Sequence, residues 1–195
     1  MWSIGSGKML GIPSLNTDTT TNKFCQGMYN SKKDIICNQC YSMSMLTTFR
    51  KNCKPKFLNN SKFLSSKVHP KEYLPRCNSP VGRFHSHGEL INSTHFKNII
   101  NICRNQPKVT FSLWTKRKNI VTRVLKDTDK PKNLILIYSN PYVDKLDVEL
   151  PKHFDKVFNN VSKDSSNVNC SKKCLECMMC YTLGNKTSQI IEVIK

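Results

Sequence analysis

Acidic residues are scarce in this chain of 195 residues: 13 Asp and Glu face 31 Lys and Arg, for a formal charge of +18 and a pI near 9.6. That imbalance points to a polyanionic partner, most simply nucleic acid. No RNP motif, zinc-finger His pair or basic heptad repeat accompanies it. The abundance of Lys and Asn also fits an AT-rich coding sequence, so part of the charge can be a solvated face. No run approaches the roughly 18–20 apolar residues a membrane-spanning helix needs, which excludes a transmembrane helix and a membrane partner. The first residues, MWSIGSGKMLGIPSLN, lack the apolar core of a secretory signal, so a cytoplasmic protein is expected. Internal repeats are absent. GSGK is not a phosphate loop, because Trp2 stands where G-x-x-x-x-G-K needs its first Gly.

What remains is enough for one domain, 1–195, in three zones. Residues 1–80 read as irregular, with one helix after Cys40. Residues 81–162 are regular. VGRFHSHGEL begins as a strand, and Phe96, Ile99, Ile100 and Cys103 stand at helical spacing. Val109, Phe111 and Leu113 alternate as in a strand. Ile120, Val121, Val124 and Leu125 mark a second helix, and Leu134–Tyr138 is a continuous apolar run typical of a strand buried on both faces. LPKHFDKVFNNV, with Pro151 in its first turn, predicts a last helix. Residues 163–195 form a cysteine-rich tail ending in a strand-like SQIIEVIK. The order predicts an α/β fold whose parallel strands form either an open sheet or a partial (β/α) barrel. Ligands then belong at the C-terminal strand ends: His85 to Glu89, Trp114 to Lys116, and Tyr138 to Asn140.

Ten cysteines in a reducing compartment indicate metal or reactive thiols rather than disulfides. Cys170, Cys174, Cys177 and Cys180 lie within eleven residues. Zinc ribbons separate their knuckles by roughly 12–20 residues, whereas this overlapping C-x2-C-x2-C is the local run of ferredoxin-type iron–sulfur ligation. Cys25, Cys37 and Cys40 can supply three more sulfurs. Three ligands leave an iron of a [4Fe–4S] cluster open, and four close it, as with open and closed zinc sites. The expected cofactor is therefore one or two [4Fe–4S] clusters, with zinc as the alternative. Cys103 reads as a small core residue, and Cys53 and Cys77 fit no ligand spacing. Arg83, His85 and Glu89 alternate as though on one strand face. They read either as anion-binding, proton-shuttling and ammonium-holding groups or as a solvated salt-bridge row.

GSGKMLGIPSL, the Cys25-Gln-Gly segment, CNQCYS, Asn60, RFHSHGE, FSLWTK, NLILIYSN and CSKKCLECMMCY together resemble the gene-product-88 family of small phage-encoded proteins. The resemblance runs in order through nearly the whole chain. It implies a phage or prophage protein acting in the host cytoplasm, with metal ligands but no particular reaction. A looser similarity is to the radical S-adenosylmethionine enzymes, which carry three cysteines after the first barrel strand and a Gly-Glu after the second. Cys37-Asn-Gln-Cys40-Tyr41 and Gly88-Glu89 would fill those places. The usual three residues between the first two cysteines are here eleven, and the chain is short for six strand–helix units. That likeness implies S-adenosylmethionine as a cofactor, held by Gly88, Glu89 and Ser139, with Arg83 and His85 acting on a substrate on or near nucleic acid. The rival expectation is a non-enzymatic iron–sulfur or zinc protein that binds nucleic acid or senses redox state. Oligomeric state is not encoded in any pattern found.

Overall fold

Five consecutive apolar side chains need partners on both faces of a strand, and Leu134–Tyr138 has them. In the structure, a computed structural model describing residues 1–184 and 187–194, this run lies in a seven-stranded sheet. The strands follow sequence order: β1 (Trp2–Ile4), β2 (Pro13–Leu15), β3 (Val81–Phe84), β4 (Thr110–Thr115), β5 (Leu134–Val143), β6 (Lys156–Val161) and β7 (Gln189–Val193). β1 and β2 form an antiparallel pair, and β2 through β7 are parallel throughout. The expected parallel α/β fold is thus present, as a sheet that is not closed.

Alternation sorts the side chains into two layers. Phe84, Phe111, Leu113, Leu134, Leu136, Tyr138 and Val157 pack on one face against the helices. Those helices are α3 (Lys54–Ser66), α4 (Ser93–Arg104) and α5 (Lys118–Leu125). Cys103, on α4, is fully buried in this core, as its helical spacing predicts. Ile12, Val81, Ile135, Ile137 and Ile190 face the other way. There they meet Cys180 and Tyr181, with Trp114, Phe158, Cys170, Cys174 and Met178 packed around them. The cysteine tail is thus the second layer of the fold.

One contact shows how far the sheet curls. Lys8, between β1 and β2, donates from Nζ to Glu192 Oε1 on β7 at 2.8 Å and to the Cys170 carbonyl at 2.7 Å. A flat sheet would hold β2 and β7 roughly 24 Å apart, five spacings of about 4.8 Å. The bridge therefore requires the sheet to bend around the tail.

Two expectations are corrected. Residues 150–161 do not form a helix: β6 begins at Lys156 and pairs in parallel with β5 and β7. Phe154, Val157, Phe158 and Val161 fit helical spacing, but Lys156, Phe158 and Asn160 also alternate with Val157, Asn159 and Val161. Pairing on both edges decides for the strand. Residues 1–80 are also more regular than expected, containing β1, β2, α1 (Lys23–Tyr29), α2 (Tyr41–Thr47) and α3. Helix α3 buries Phe57, Asn60, Ser61 and Leu64. Half of that face is polar, which hides its helical period. The six parallel strands fit a short chain because the β5–β6 connection has no helix and the β6–β7 connection is the cysteine segment itself.

Candidate functional site

The segments that follow β2 and β3 are laced together above the strand ends. Asn16 Oδ1 accepts from the Ser86 and His87 amides at 2.8 and 3.0 Å. The Thr17 amide donates to the His87 carbonyl at 3.1 Å, and the Gly88 amide to Thr19 Oγ1 at 3.0 Å. Gly88 sits at φ +88°, and a Cβ there would stand 2.5 Å from the Thr17 carbonyl oxygen. Only glycine meets both demands. Asn22 Nδ2 then donates to the Glu89 carbonyl at 3.1 Å, while Asn22 Oδ1 caps α1 through the Phe24 and Cys25 amides.

Glu89 is buried. Its carboxylate accepts from the Leu90 amide at 2.7 Å, the Lys116 amide at 2.7 Å and the Thr115 hydroxyl. Burial raises its pKa, opposed by the Lys116 charge and these donors. Lys116 Nζ donates to Ser139 Oγ at 2.8 Å, so Glu89, Lys116 and Ser139 form a chain across the ends of β3, β4 and β5.

Three thiols gather beside this chain. Cys25 lies in α1, Cys37 in the 3-10 turn Ile36–Gln39 that packs against β5, and Cys40 at the N-cap of α2. Burial pushes the Cys25 thiol well up, and the charges of Glu89, Cys40 and Cys37 add to the shift while Lys116 opposes it. Cys37 is raised in the same way, with Lys116 again opposing. These thiols, Glu89 and Lys116 therefore share one electrostatic neighbourhood. Next to Cys40, Tyr41 donates its hydroxyl to the Ser86 carbonyl, and Ser42 Oγ bonds His87 Nδ1 at 2.8 Å. The thiol-bearing segment is thereby tied to the loop that carries Glu89.

The tail thiols form a second group on the face opposite the helices. Cys174 and Cys177 lie on the single turn α6 (Cys174–Cys177), which ends at Met178 in a left-handed conformation (φ 53°). Burial raises Cys170 to about 11 and Cys180 to about 12. Lys8 opposes this at Cys170, and Arg83 at Cys174 and Cys180. Lys156 feels the charges of Cys180 and Cys177. Four thiols thus stand among three cations from β3, β6 and the β1–β2 turn. Among the described residues, no group of three or more His, Cys, Asp or Glu side chains is arranged to hold a single metal ion. All ten cysteines are free thiols.

Arg83 and His85 part company. Strand β3 ends at Phe84, and His85 takes φ +66°, which breaks the alternation expected to keep Arg83, His85 and Glu89 on one face. Arg83 lies over the Trp114 ring, 3.0 Å from its centroid, toward the tail thiols. Its Nη1 meets Met9 Sδ at 3.2 Å. His85 is buried edge-on against His95 of α4, with ring centroids 5.2 Å apart. Burial lowers its pKa to about 3, so the ring is neutral. The structure therefore brings Cys25, Cys37, Cys40, Glu89 and Ser139 together, and Cys170, Cys174, Cys177 and Cys180 with Arg83. His85 stands apart from both groups. Sequence reasoning did not single out Asn16, Lys8 or Lys156. Their roles come from contacts across the fold, with no local pattern to announce them.

Among the described residues no helix is long and apolar enough to cross a membrane. No curated protein and no solved structure matches the chain. The family model described as Gene product 88 matches residues 5–178, which takes in both halves of the laced loop, the front thiols and all but the last of the tail cysteines. On that coverage, the chain belongs to the gene product 88 family.

Proposed function

We propose that this is an iron–sulfur protein of phage type that acts in the host cytoplasm. In this reading Cys25, Cys37 and Cys40 hold one [4Fe–4S] cluster with an open iron, and Cys170, Cys174, Cys177 and Cys180 hold a second. The observation that carries it is the convergence of three thiols, from three successive short elements after β2, beside Glu89 at the strand ends. The donor set fits: each group offers thiols alone, with Lys116 beside the first and Arg83, Lys8 and Lys156 beside the second to balance thiolate charge. Because burial raises the Cys25, Cys37, Cys170, Cys174 and Cys180 thiols, loading would release protons and be favoured by higher pH.

The six sequential parallel strands, the thiol segment after the first of them and Gly88-Glu89 after the second resemble the layout of radical S-adenosylmethionine enzymes. A cluster with an open iron would supply one-electron chemistry to bound S-adenosylmethionine. The protein's own contribution is positioning. Gly88 and Glu89 would hold the methionine ammonium, and Lys116 fixes Ser139 beside them. Arg83 then serves the tail as a counter-charge, and neutral, buried His85 packs beneath α4. The substrate would be a nucleic acid or something bound to one, in keeping with the charge of +18.

A non-enzymatic reading is favoured by one observation: the Glu89 carboxylate already accepts three hydrogen bonds from its own chain. Clusters, or zinc in their place, would then only supply folding free energy or sense redox state. Oxygen-free purification followed by iron, sulfide and zinc analysis tests the metal. About four or eight irons with equal sulfide per chain are expected, and zinc without sulfide overturns the cluster. Reduction with S-adenosylmethionine should release 5′-deoxyadenosine. A loaded protein that releases none, with no change in its EPR signal, leaves the non-enzymatic reading.

A further inference from the structure

A cavity of about 590 Å³ opens beside α1, bordered by Asp18 and Asn22 of the laced segment, within the range of roughly 300–1,000 Å³ typical of ligand sites. Phe24, Leu58 and Ile91 give it apolar lining, and Lys23, Lys62 and Arg117 line it with positive charge. Its one carboxylate, Asp18, is engaged by the Thr20 amide and hydroxyl at 3.1 and 3.0 Å and by the Thr21 hydroxyl at 2.9 Å. Among the described residues, none of the three cations forms an ion pair with a carboxylate. Arg117 is held in place: its guanidinium lies 4.6 Å from the Phe24 ring centroid. Its Nη1 donates to the Leu90 carbonyl at 3.3 Å and its Nε to Asn119 Oδ1 at 3.3 Å, leaving the second terminal nitrogen available.

Apolar side chains beside cations without carboxylate partners suit a ligand that joins an apolar part to a polyanionic one. We infer that this cleft binds a nucleotide unit, its base against Phe24, Leu58 and Ile91 and its phosphate on Lys23, Lys62 and Arg117. The unit can belong to a strand or be free. The site uses none of the proposed cluster ligands, so it stands or falls independently of metal content. In a strand, the bound unit would lie next to the helix that carries Cys25.

The test uses the full-length protein as purified, with metal content matched between variants. Binding of a fluorescent single-stranded oligonucleotide is followed by anisotropy against salt, with AMP as competitor. Each lysine that neutralises a phosphate contributes about 0.7 to the logarithmic salt slope. The double variant Lys23→Gln/Lys62→Gln is therefore expected to lose about 1.4 of that slope and to weaken binding at least tenfold. Lys126→Gln/Lys132→Gln removes the same charge beyond the far end of α5 and is expected to change little. Lys23→Arg/Lys62→Arg should retain binding. Competition by AMP assigns the site to free nucleotide, and its absence to a strand. Equal losses in the two Gln doubles would reduce the effect to diffuse charge and overturn the site. So would full binding by Lys23→Gln/Lys62→Gln, or no binding of either probe by the parent protein.

Discussion

Replacing Gly88 with alanine strikes the point where two crossovers are sewn together. Alanine at φ +88° carries a backbone penalty of about 1–2 kcal/mol. The new Cβ also meets the Thr17 carbonyl oxygen at 2.5 Å, and that atom belongs to backbone that cannot swing aside as a side-chain tip would. Relief requires the two segments to part, straining the Thr17-to-His87 and Gly88-to-Thr19 hydrogen bonds. Overpacking of this kind costs about 1–3 kcal/mol. Gly7 supplies the control, since it has φ +60° and nothing within 4 Å of a built Cβ. Gly7→Ala therefore carries the backbone penalty without the clash, and the unfolded-state effect of adding a methyl group cancels between the two variants. Gly88→Ala is expected to be less stable than Gly7→Ala by about 2 kcal/mol, or roughly 4–8 °C in melting temperature for a chain of this size. Thermal and urea unfolding at matched metal content would measure it. Equal stability of the two variants would refute the claim that close approach to Thr17 fixes this loop.

Acidification should destabilise the fold below about pH 6.5. Burial lowers His85 to about 3 and His87 to about 4, so each takes up a proton on unfolding and costs up to about 1.4 kcal/mol per pH unit. Their stabilising contribution is complete above the unfolded pKa and is lost as pH falls toward the folded values. His95, also lowered by burial, acts in the same sense, whereas Glu89, raised by burial, has the opposite sign and favours the folded state in acid. Unfolding at pH 7 and pH 5.5 should differ by about 1–3 kcal/mol, and no difference would contradict neutral buried rings. Cys177→Ala should lower the stability of the metal-loaded protein as a whole, because the tail forms one layer of the fold. Cys103→Ala should cost only the packing of a small core residue, about 1–2 kcal/mol. Equal melting of loaded Cys177→Ala and parent would break that link.

The alternation β3-α4-β4-α5-β5 was legible because each element has one dominant period. Ile99, Ile100 and Cys103 repeat on a helix, and Leu134–Tyr138 is apolar on both faces. Where two periods coexist, reading fails: the residues of β6 satisfy helical and strand spacing alike, and only pairing with β5 and β7 decides. Helix α3 failed for another reason. Asn60 and Ser61 face inward to bond the Asn16 carbonyl and the Asp18 amide, so the buried stripe does not look apolar. The candidate site shows the same division. Cysteine spacing names the thiols, and strand order places Gly88, Glu89 and Ser139. The parting of Arg83 from His85 depends on one positive φ, which histidine does not announce. Lys8 and Glu192 are separated by 184 positions, beyond the reach of any local pattern.

The cysteine segment is also the connection from β6 to β7, and this sets an order of events during synthesis. The last strand can zip onto its neighbour only after the segment before it has emerged and turned back. The Lys8 clasp onto Glu192 must wait for the same moment. A ribosome-bound chain would therefore carry a half-finished sheet with four loose sulfurs at its exit. The tail settles onto the sheet only then, and a chain cut short after β6 would leave the inner sheet face, with Ile135 and Ile137, bare to the solvent.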